Sequence, residues 1–340
     1  MEKSKWTGIQ TLFAICISAN DFSNRDRPFR IRITMSASDE VIAVIVTYHP
    51  ESERLGLLLD SLKCQVTRVV VVDNGSSPDI RRYLADRKEH NIHCLLLGSN
   101  LGIAAAQNAG IAWAQERDGN YVLLMDQDSV PQTEMVEELL QTYLRLKRQN
   151  IKVAAVGSRY KDGADGQLSG FVRFSGRTGS RAVSCRENQQ EVECDFVIAS
   201  GSLIPLSVID DVGGMDEGFF IDHVDTEWCL RTRSKGYKIY GACLAVMHHE
   251  LGSNRIPLWF IRWRSVSVHA PFRYYYMVRN SVLLHRRDYP DRAWRLFDMQ
   301  RLLQVFVFFG LFLPGRAPRL RMMWKGFRDW MRGVTGKFND

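Results

Sequence analysis

The sequence predicts an α/β fold in which a mostly parallel central sheet is covered by helices on both faces and followed by a helical, basic C-terminal region. Three observations carry this expectation. Short apolar, β-branched runs alternate with longer segments of helical periodicity from residue 41 to residue 156. The apolar runs are nearly continuous rather than alternating, as strands buried on both faces require. Charge is also partitioned: of a formal net charge of +7, residues 255–340 carry 17 Lys/Arg against 5 Asp/Glu, or +12, which leaves −5 on residues 1–254.

Each element has its own signature. Val41–Thr47 (VIAVIVT) reads as a buried strand closed by Tyr48-His49-Pro50. Residues 51–64 place Leu55, Leu58, Leu59 and Leu62 on one helical face. A second strand over 68–72 ends in Asp73-Asn74-Gly75-Ser76-Ser77, a turn sequence. Residues 78–90 read as helix, 93–97 as strand, and 102–114 as a small-residue, Ala-rich helix. A fourth strand over 121–125 runs directly into Asp126-Gln127-Asp128; an amphipathic helix over 133–148 and a strand over 153–156 follow. Strands alternating with helices predict a parallel sheet, whose ligands sit outside the carboxyl ends of the strands. Asp73 and the Asp126/Asp128 pair stand at such ends.

Beyond residue 156 the pattern changes. Residues 160–192 are rich in Gly, Ser and Arg and read as hairpins or loops. Residues 194–206 are strand-like but broken by Ser200-Gly201-Ser202, Leu206–Val212 is a short helix, and 213–220 is a loop. Asp222-His223-Val224-Asp225-Thr226-Glu227 then opens a helix that Gly236 stops; if helical from Asp222, the first two aspartates share a face. Short strands over 237–240 and 244–247 precede His248-His249. The C-terminal run VFVFFGLFL, residues 305–313, holds nine apolar residues between arginines. A span of the bilayer needs about 20, so the run suits a helix lying in a membrane interface, or else one packed into a core or dimer.

These patterns divide the chain into a poorly ordered N-terminal extension over residues 1–38, a catalytic domain over 39–254, and a basic, aromatic helical region over 255–340. The extension holds a short apolar run behind Lys3 and Lys5 without a clear cleavage pattern, and Met35 reads as a natural start. The seven cysteines form no C-x-x-C pair, so free thiols in a reducing cytoplasm are expected rather than a zinc site or disulfide framework. The basic tail calls for a polyanionic surface. Its aromatic content favours anionic lipid over nucleic acid, which would leave the acidic strand ends without a role.

The chemistry-bearing residues lie at the strand ends and in the two later clusters. Asp126 and Asp128 on one turn offer oxygen ligands to a hard divalent cation, Mg²⁺ or Mn²⁺, able to neutralise a departing diphosphate. Asp73 can accept from a pyrimidine or ribose group. Asn100-Leu101-Gly102, with Asn108 one helical stretch later, offers a close backbone approach at a helix N-terminus. A carboxylate among Asp222, Asp225 and Glu227 can deprotonate an attacking hydroxyl. His248 or His249 can add an imidazole ligand. Arg273 and Arg279, in a cluster of tyrosines, can clamp a diphosphate. Taken singly, each motif is also common as ordinary turn, cap or packing chemistry.

In order and spacing, VIVTYHP, VVVVDNGSS, SNLGIAAAQNAG, VLLMDQDS, ASGSLIP, VGGMDEGFFIDHVDTEWCLR and HHELG resemble the family-two glycosyltransferases of the GT-A fold. LLMDQDS, FFIDHVDTEWCLR and HAPFRYYYMVRN resemble more narrowly the bacterial rhamnosyltransferases of O-antigen and rhamnolipid assembly. The resemblance implies an inverting transferase that moves L-rhamnose from dTDP-L-rhamnose to a saccharide or lipid-linked acceptor, at the inner face of the cytoplasmic membrane. It implies donor contacts from Thr47, Asp73, Asn100, Gly102, Asn108, Asp126 and Arg279. Asp128 becomes the principal metal carboxylate, with Asp126 and His249. Aligning Cys229-Leu230-Arg231 with the family's E-D-x-D-x-C-L-R puts Asp225 at the base position and Val224 where many relatives carry Glu, which leaves Asp222 as a rival base. The alternatives are a UDP-hexose donor or a non-catalytic nucleotide-sugar binder; a nucleotidyltransferase would want a Gly-rich phosphate loop where Tyr48-His49-Pro50 stands.

Overall fold

The computed structural model describes residues 40–338 except 77–78, 88, 163–166, 176–178, 250–254 and 261. The expected N-terminal extension and Gly252 lie outside the described residues. The first half of the described chain alternates as its periodicity predicts: β1 (Val41–Thr47), α1 (Ser52–Leu62), β2 (Arg68–Asp73), α2 (Asp79–Arg87), β3 (Ile92–Leu96), α3 (Ile103–Gln115) and β4 (Tyr121–Asp126). Then come β5 (Ser129–Pro131), α4 (Met135–Arg148), β6 (Val153–Asp162), β7 (Phe171–Ser175), β8 (Gly179–Val183), β9 (Glu191–Cys194), β10 (Ser202–Pro205), α5 (Leu206–Val212), α6 (Val224–Ser234) and β11 (Lys238–His249). The C-terminal part adds β12 (Arg255–Phe260), β13 (Arg262–Ser267), α7 (Pro271–His285), α8 (Arg292–Val305), a π-helical continuation (Phe306–Phe312) and α9 (Arg316–Met331).

The strands β3-β2-β1-β4-β10-β6-β11-β5 lie side by side in one sheet, and β9 pairs with β11. From β3 to β4 the sheet is parallel, and so is the β6–β11 pair. The short strands β5, β9 and β10 run antiparallel to their neighbours. All seven residues of β1 are buried, and their period of two divides them between two cores. Ile42, Val44 and Val46 join Ile111 of α3, Val208 of α5 and Trp228 of α6 on one face. Val41, Ala43 and Ile45 join Leu58 and Leu59 of α1 and Leu139 of α4 on the other. This double burial explains the continuous apolar runs.

Three expectations change. The two short strands expected before His248 are one strand, β11, with register irregularities between Lys238 and Ile239 and between Gly241 and Val246. Helix α6 starts at Val224, because Asp222 and His223 both take left-handed backbone (φ 64° each). Cys185 and Cys243 form a disulfide, against the expectation of free thiols. Their 58-residue separation hides the pair from spacing rules, but β9 pairing on β11 draws the segment after β8 alongside Cys243, whose amide donates to the Gln190 carbonyl. The apolar C-terminal run, for which a packed and an outward-facing helix were both open, is partly each. Phe309 is buried with Tyr274 and Met323, whereas Phe306 and Phe312 are exposed. Among the described residues no helix is long and apolar enough to cross a membrane.

Candidate active site

Parallel register places the site. Thr47 pairs with Asp73 and Val46 with Asp126, so the carboxyl ends of β1, β2 and β4 open on the same edge. The buried Thr47 hydroxyl donates to one Asp73 oxygen (3.1 Å), and the Ser76 amide donates to the other (2.8 Å), which fixes the carboxylate at the strand end. Asn74 and Asn100 stitch the two neighbouring loops. The Asn74 amide group donates to Asn100 Oδ1 (3.2 Å), Asn74 Oδ1 accepts from the Leu101 N–H (2.8 Å), and Asn100 Oδ1 accepts from the Gly102 N–H (3.0 Å).

The metal candidates converge as the resemblance implied. Ligand atoms of Asp126, Asp128 and His249 all lie within 4.8 Å of one another. The cause is local. The D-x-D turn runs into β5, and β5 pairs antiparallel with the end of β11, setting His249 opposite Ser129. Strand alternation separates the two histidines: His249 turns inward with its Nδ1 2.7 Å from the Ser129 hydroxyl and 3.6 Å from Asp128, while His248 is exposed and meets Gln132. Behind them Ser200 accepts from the Asp126 amide (3.1 Å) and donates to Ser129 (2.8 Å). Gln127, between the two aspartates, accepts from the Tyr48 N–H (2.8 Å) and donates to the Tyr48 carbonyl (3.3 Å), tying the metal turn to the β1 loop.

Two carboxylates and an imidazole form a donor set for a hard divalent ion. The electrostatics fit a cation as well. Burial, Asp128 and Asp225 push the Asp126 carboxyl up to about 7, with Arg273 opposing. Crowded acids of this kind are relieved by a bound positive charge.

Asp225 stands at the first turn of α6. Burial raises its carboxyl to about 6, against the lowering effect of backbone N–H bonds, including one from Thr226 (2.8 Å). Asp222, the rival, is engaged by Arg273 of α7, whose guanidinium lies 2.6 Å from Asp222 Oδ1. The Asp222 carboxylate is thus occupied by a guanidinium, so the geometry favours Asp225. Glu227 is also consumed, bound by Arg231 (2.7 Å) and by the Tyr289 hydroxyl (2.6 Å).

Three expected donor contacts are corrected. Arg279 is fully buried and donates to the carbonyls of Gly336 (2.6 Å), Gly218 and Phe219 (3.1 Å each), so its guanidinium has no reach into the cleft. The arginine of the cleft is Arg273. Asn108 uses both ends of its amide on the 213–219 loop, accepting from the Met215 N–H (2.8 Å) and donating to the Met215 carbonyl (2.9 Å) and Glu217 (2.9 Å). Gly102 does allow a close approach, but to Phe220: a Cβ there would lie 2.6 Å from the Phe220 carbonyl oxygen, and its φ is 95°. The sequence singled out neither Gln127, Ser129 nor Ser200; their positions beside or opposite the D-x-D were the available signal, and they became legible only with the β5–β11 pairing.

Residues 43–206 match the family model described as glycosyl transferase family 2. The chain is 31% identical over 302 residues to the dTDP-rhamnosyl transferase RfbF of Shigella flexneri, covering 88% of this chain and 98% of that protein. Among solved structures, S. aureus TarS 1–349 in complex with UDP-GlcNAc is similar with a TM-score of 0.53 at 15% identity, covering 87% of this chain and 81% of that one. GalNAc-T7 with UDP, GalNAc and Mn²⁺ gives a TM-score of 0.53 at 11% identity over 78% of this chain, which spans 56% of that chain. These two likenesses support the GT-A fold. The sheet, its acidic strand ends and a relative matched over nearly its whole length lead to one assignment: the chain belongs to glycosyl transferase family 2 and is a glycosyltransferase.

Proposed function

We propose that the protein is an inverting rhamnosyltransferase that moves L-rhamnose from dTDP-L-rhamnose to a saccharide or lipid-linked acceptor of cell-surface polysaccharide or glycolipid synthesis. The observation that carries the donor assignment is the 31% identity to a dTDP-rhamnosyl transferase over 98% of that protein's length. Asp73, held by Thr47 and Ser76, receives the nucleoside, with Asn100 shaping the adjoining wall. Asp128, Asp126 and His249 would hold a divalent cation, Mg²⁺ or Mn²⁺, which when bound neutralises charge on the diphosphate. Asp225 accepts the proton of the acceptor hydroxyl. That oxygen forms a bond to the anomeric carbon as the bond to the β-linked diphosphate breaks, so the product is an α-rhamnoside and dTDP leaves. Arg273 adds positive charge on the same side of the cleft, paired with Asp222.

The exposed Phe306, Phe312, Trp324 and Met331, interspersed with exposed Arg321 and Arg332, support peripheral contact with an anionic membrane at its cytoplasmic face, where a lipid-linked acceptor would be met. The test is a panel of dTDP-L-rhamnose, UDP-glucose and UDP-galactose, each supplied with Mn²⁺ and a glycolipid extract. Transfer from dTDP-L-rhamnose with an α-configured product is the expected result. Preference for a UDP-hexose, or a β-rhamnoside, would overturn the donor or the displacement chemistry respectively.

A further inference from the structure

His223 is the one polar residue of the DHVD segment to which neither the metal site nor the base chemistry gives a role, and its side chain is only 9% exposed. It shares with Asp222 a left-handed backbone that side-chain-bearing residues rarely adopt. Its carbonyl accepts from the Glu227 amide (2.8 Å), so it opens the helix whose second residue is Asp225. Its ring reaches the opposite way, into the C-terminal helices. Nε2 lies 2.7 Å from an Arg301 nitrogen and 3.0 Å from the Ser281 hydroxyl, and the ring meets Trp294 edge-on at 6.1 Å. Arg301 in turn donates to Ser281 (2.6 Å) and to the fully buried Asp298 (2.9 Å), which also accepts from Ser281 (3.2 Å) and pairs with His285 (3.1 Å). A guanidinium can only donate, so Nε2 accepts and the ring is neutral, with its proton on Nδ1. Among the described residues Nδ1 has no hydrogen-bond partner. Burial and Arg301 push the imidazole down to about 4, in line with that neutral form.

We propose that His223 is a positioning residue: the Ser281–Asp298–Arg301 cluster grips its ring, holds the Asp222–His223 turn in its strained backbone, and so aims the Asp225 carboxylate at the acceptor hydroxyl. This assignment rests on Asp225 acting as the base. Asn280 supports the same turn from α7, donating to the carbonyls of Ile221 (2.6 Å) and Asp222 (2.9 Å), so the turn is held through both backbone and ring. The donor contacts at Asp73, Asp126 and Asp128 come from other elements and are independent of the grip.

The experiment compares wild type, His223→Ala and His223→Gln, whose Oε1 restores an acceptor near the Nε2 position. Misplacing a base while leaving the donor seated lowers kcat by about 10- to 100-fold with donor KM within about twofold. His223→Gln should recover most of that loss. Hydrogen exchange at the Glu227 amide, read without any substrate, should quicken by about tenfold in His223→Ala and return toward wild type in His223→Gln. Wild-type exchange at Glu227 in His223→Ala, or an unchanged kcat in that variant when Asp225→Asn is inactive, would overturn the positioning role. Absence of sugar transfer by wild type itself would instead count against the transferase reading, and the exchange measurement would still decide the grip.

Discussion

At the scale of single residues, two carboxyls differ from ordinary aspartates for the same reason, removal from water among other acids. Asp225 at about 6 is ionised at neutral pH yet basic enough to take a proton. Asp225→Asn should therefore lower kcat by about 10²- to 10⁴-fold with donor binding retained, as steady-state kinetics and dTDP titration would record. The acid limb of kcat/KM should fall as pH drops through about 6, because protonation removes the base. Stability follows the opposite sign. With Asp126 raised to about 7 and Asp225 to about 6, the folded protein binds more protons than the unfolded chain between the ordinary carboxylate range and about 7. Stability of the metal-free protein should thus decline as pH rises through that window. A divalent ion offsets this. At about 100-fold excess over its Kd, Mn²⁺ should raise Tm by about 5 °C above pH 7 and by less at pH 5, where protons compete; a shift equal at both values would count against the trio as ligands.

At the scale of elements, the strand ends were legible in the sequence and the helix faces were not. An unbroken apolar run closed by an aspartate identifies both a buried strand and the edge where its acid emerges, and Asp73 and Asp126 were readable on that basis. His249 became distinct from His248 only once β11 was known to pair with β5, since alternation needs a register. Arg279 and Asn108 misled because the sequence does not say whether a polar side chain faces a ligand or the protein's own carbonyls. Both serve the 213–219 loop, from α7 and α3 respectively. The two arginines of α7 therefore separate experimentally. Arg279→Ala removes a fully buried guanidinium and its three donations to the carbonyls of Gly336, Gly218 and Phe219, and should cost about 3 kcal/mol in denaturant unfolding. Arg273→Ala should lower kcat/KM by about tenfold or more with a smaller loss of stability. The reverse pattern would exchange their roles.

At the scale of the whole molecule, the C-terminal region is bonded to the Asp222–His223 turn and the 213–219 loop rather than standing apart as an appendage. Arg273 reaches Asp222, Arg279 and Gly336 brace the 213–219 loop, and Asp298 and Arg301 hold the His223 ring. The same region presents Phe312 (75% exposed) and Trp324 (64% exposed) outward. Replacing both with Asp should weaken co-sedimentation with anionic vesicles by at least about tenfold while leaving Tm nearly unchanged. The basic charge of residues 255–340 is readable from composition, whereas the disulfide between Cys185 and Cys243 depends on a strand pairing that no local spacing encodes. The proposed active site brings acids from β2, β4 and α6 to act on one nucleotide sugar around one cation. The most direct measurement is dTDP release from dTDP-L-rhamnose by wild type and Asp128→Ala, each with Mn²⁺ and with EDTA. Release by wild type with Mn²⁺ alone is the predicted result; equal release by Asp128→Ala, or by wild type in EDTA, would contradict it.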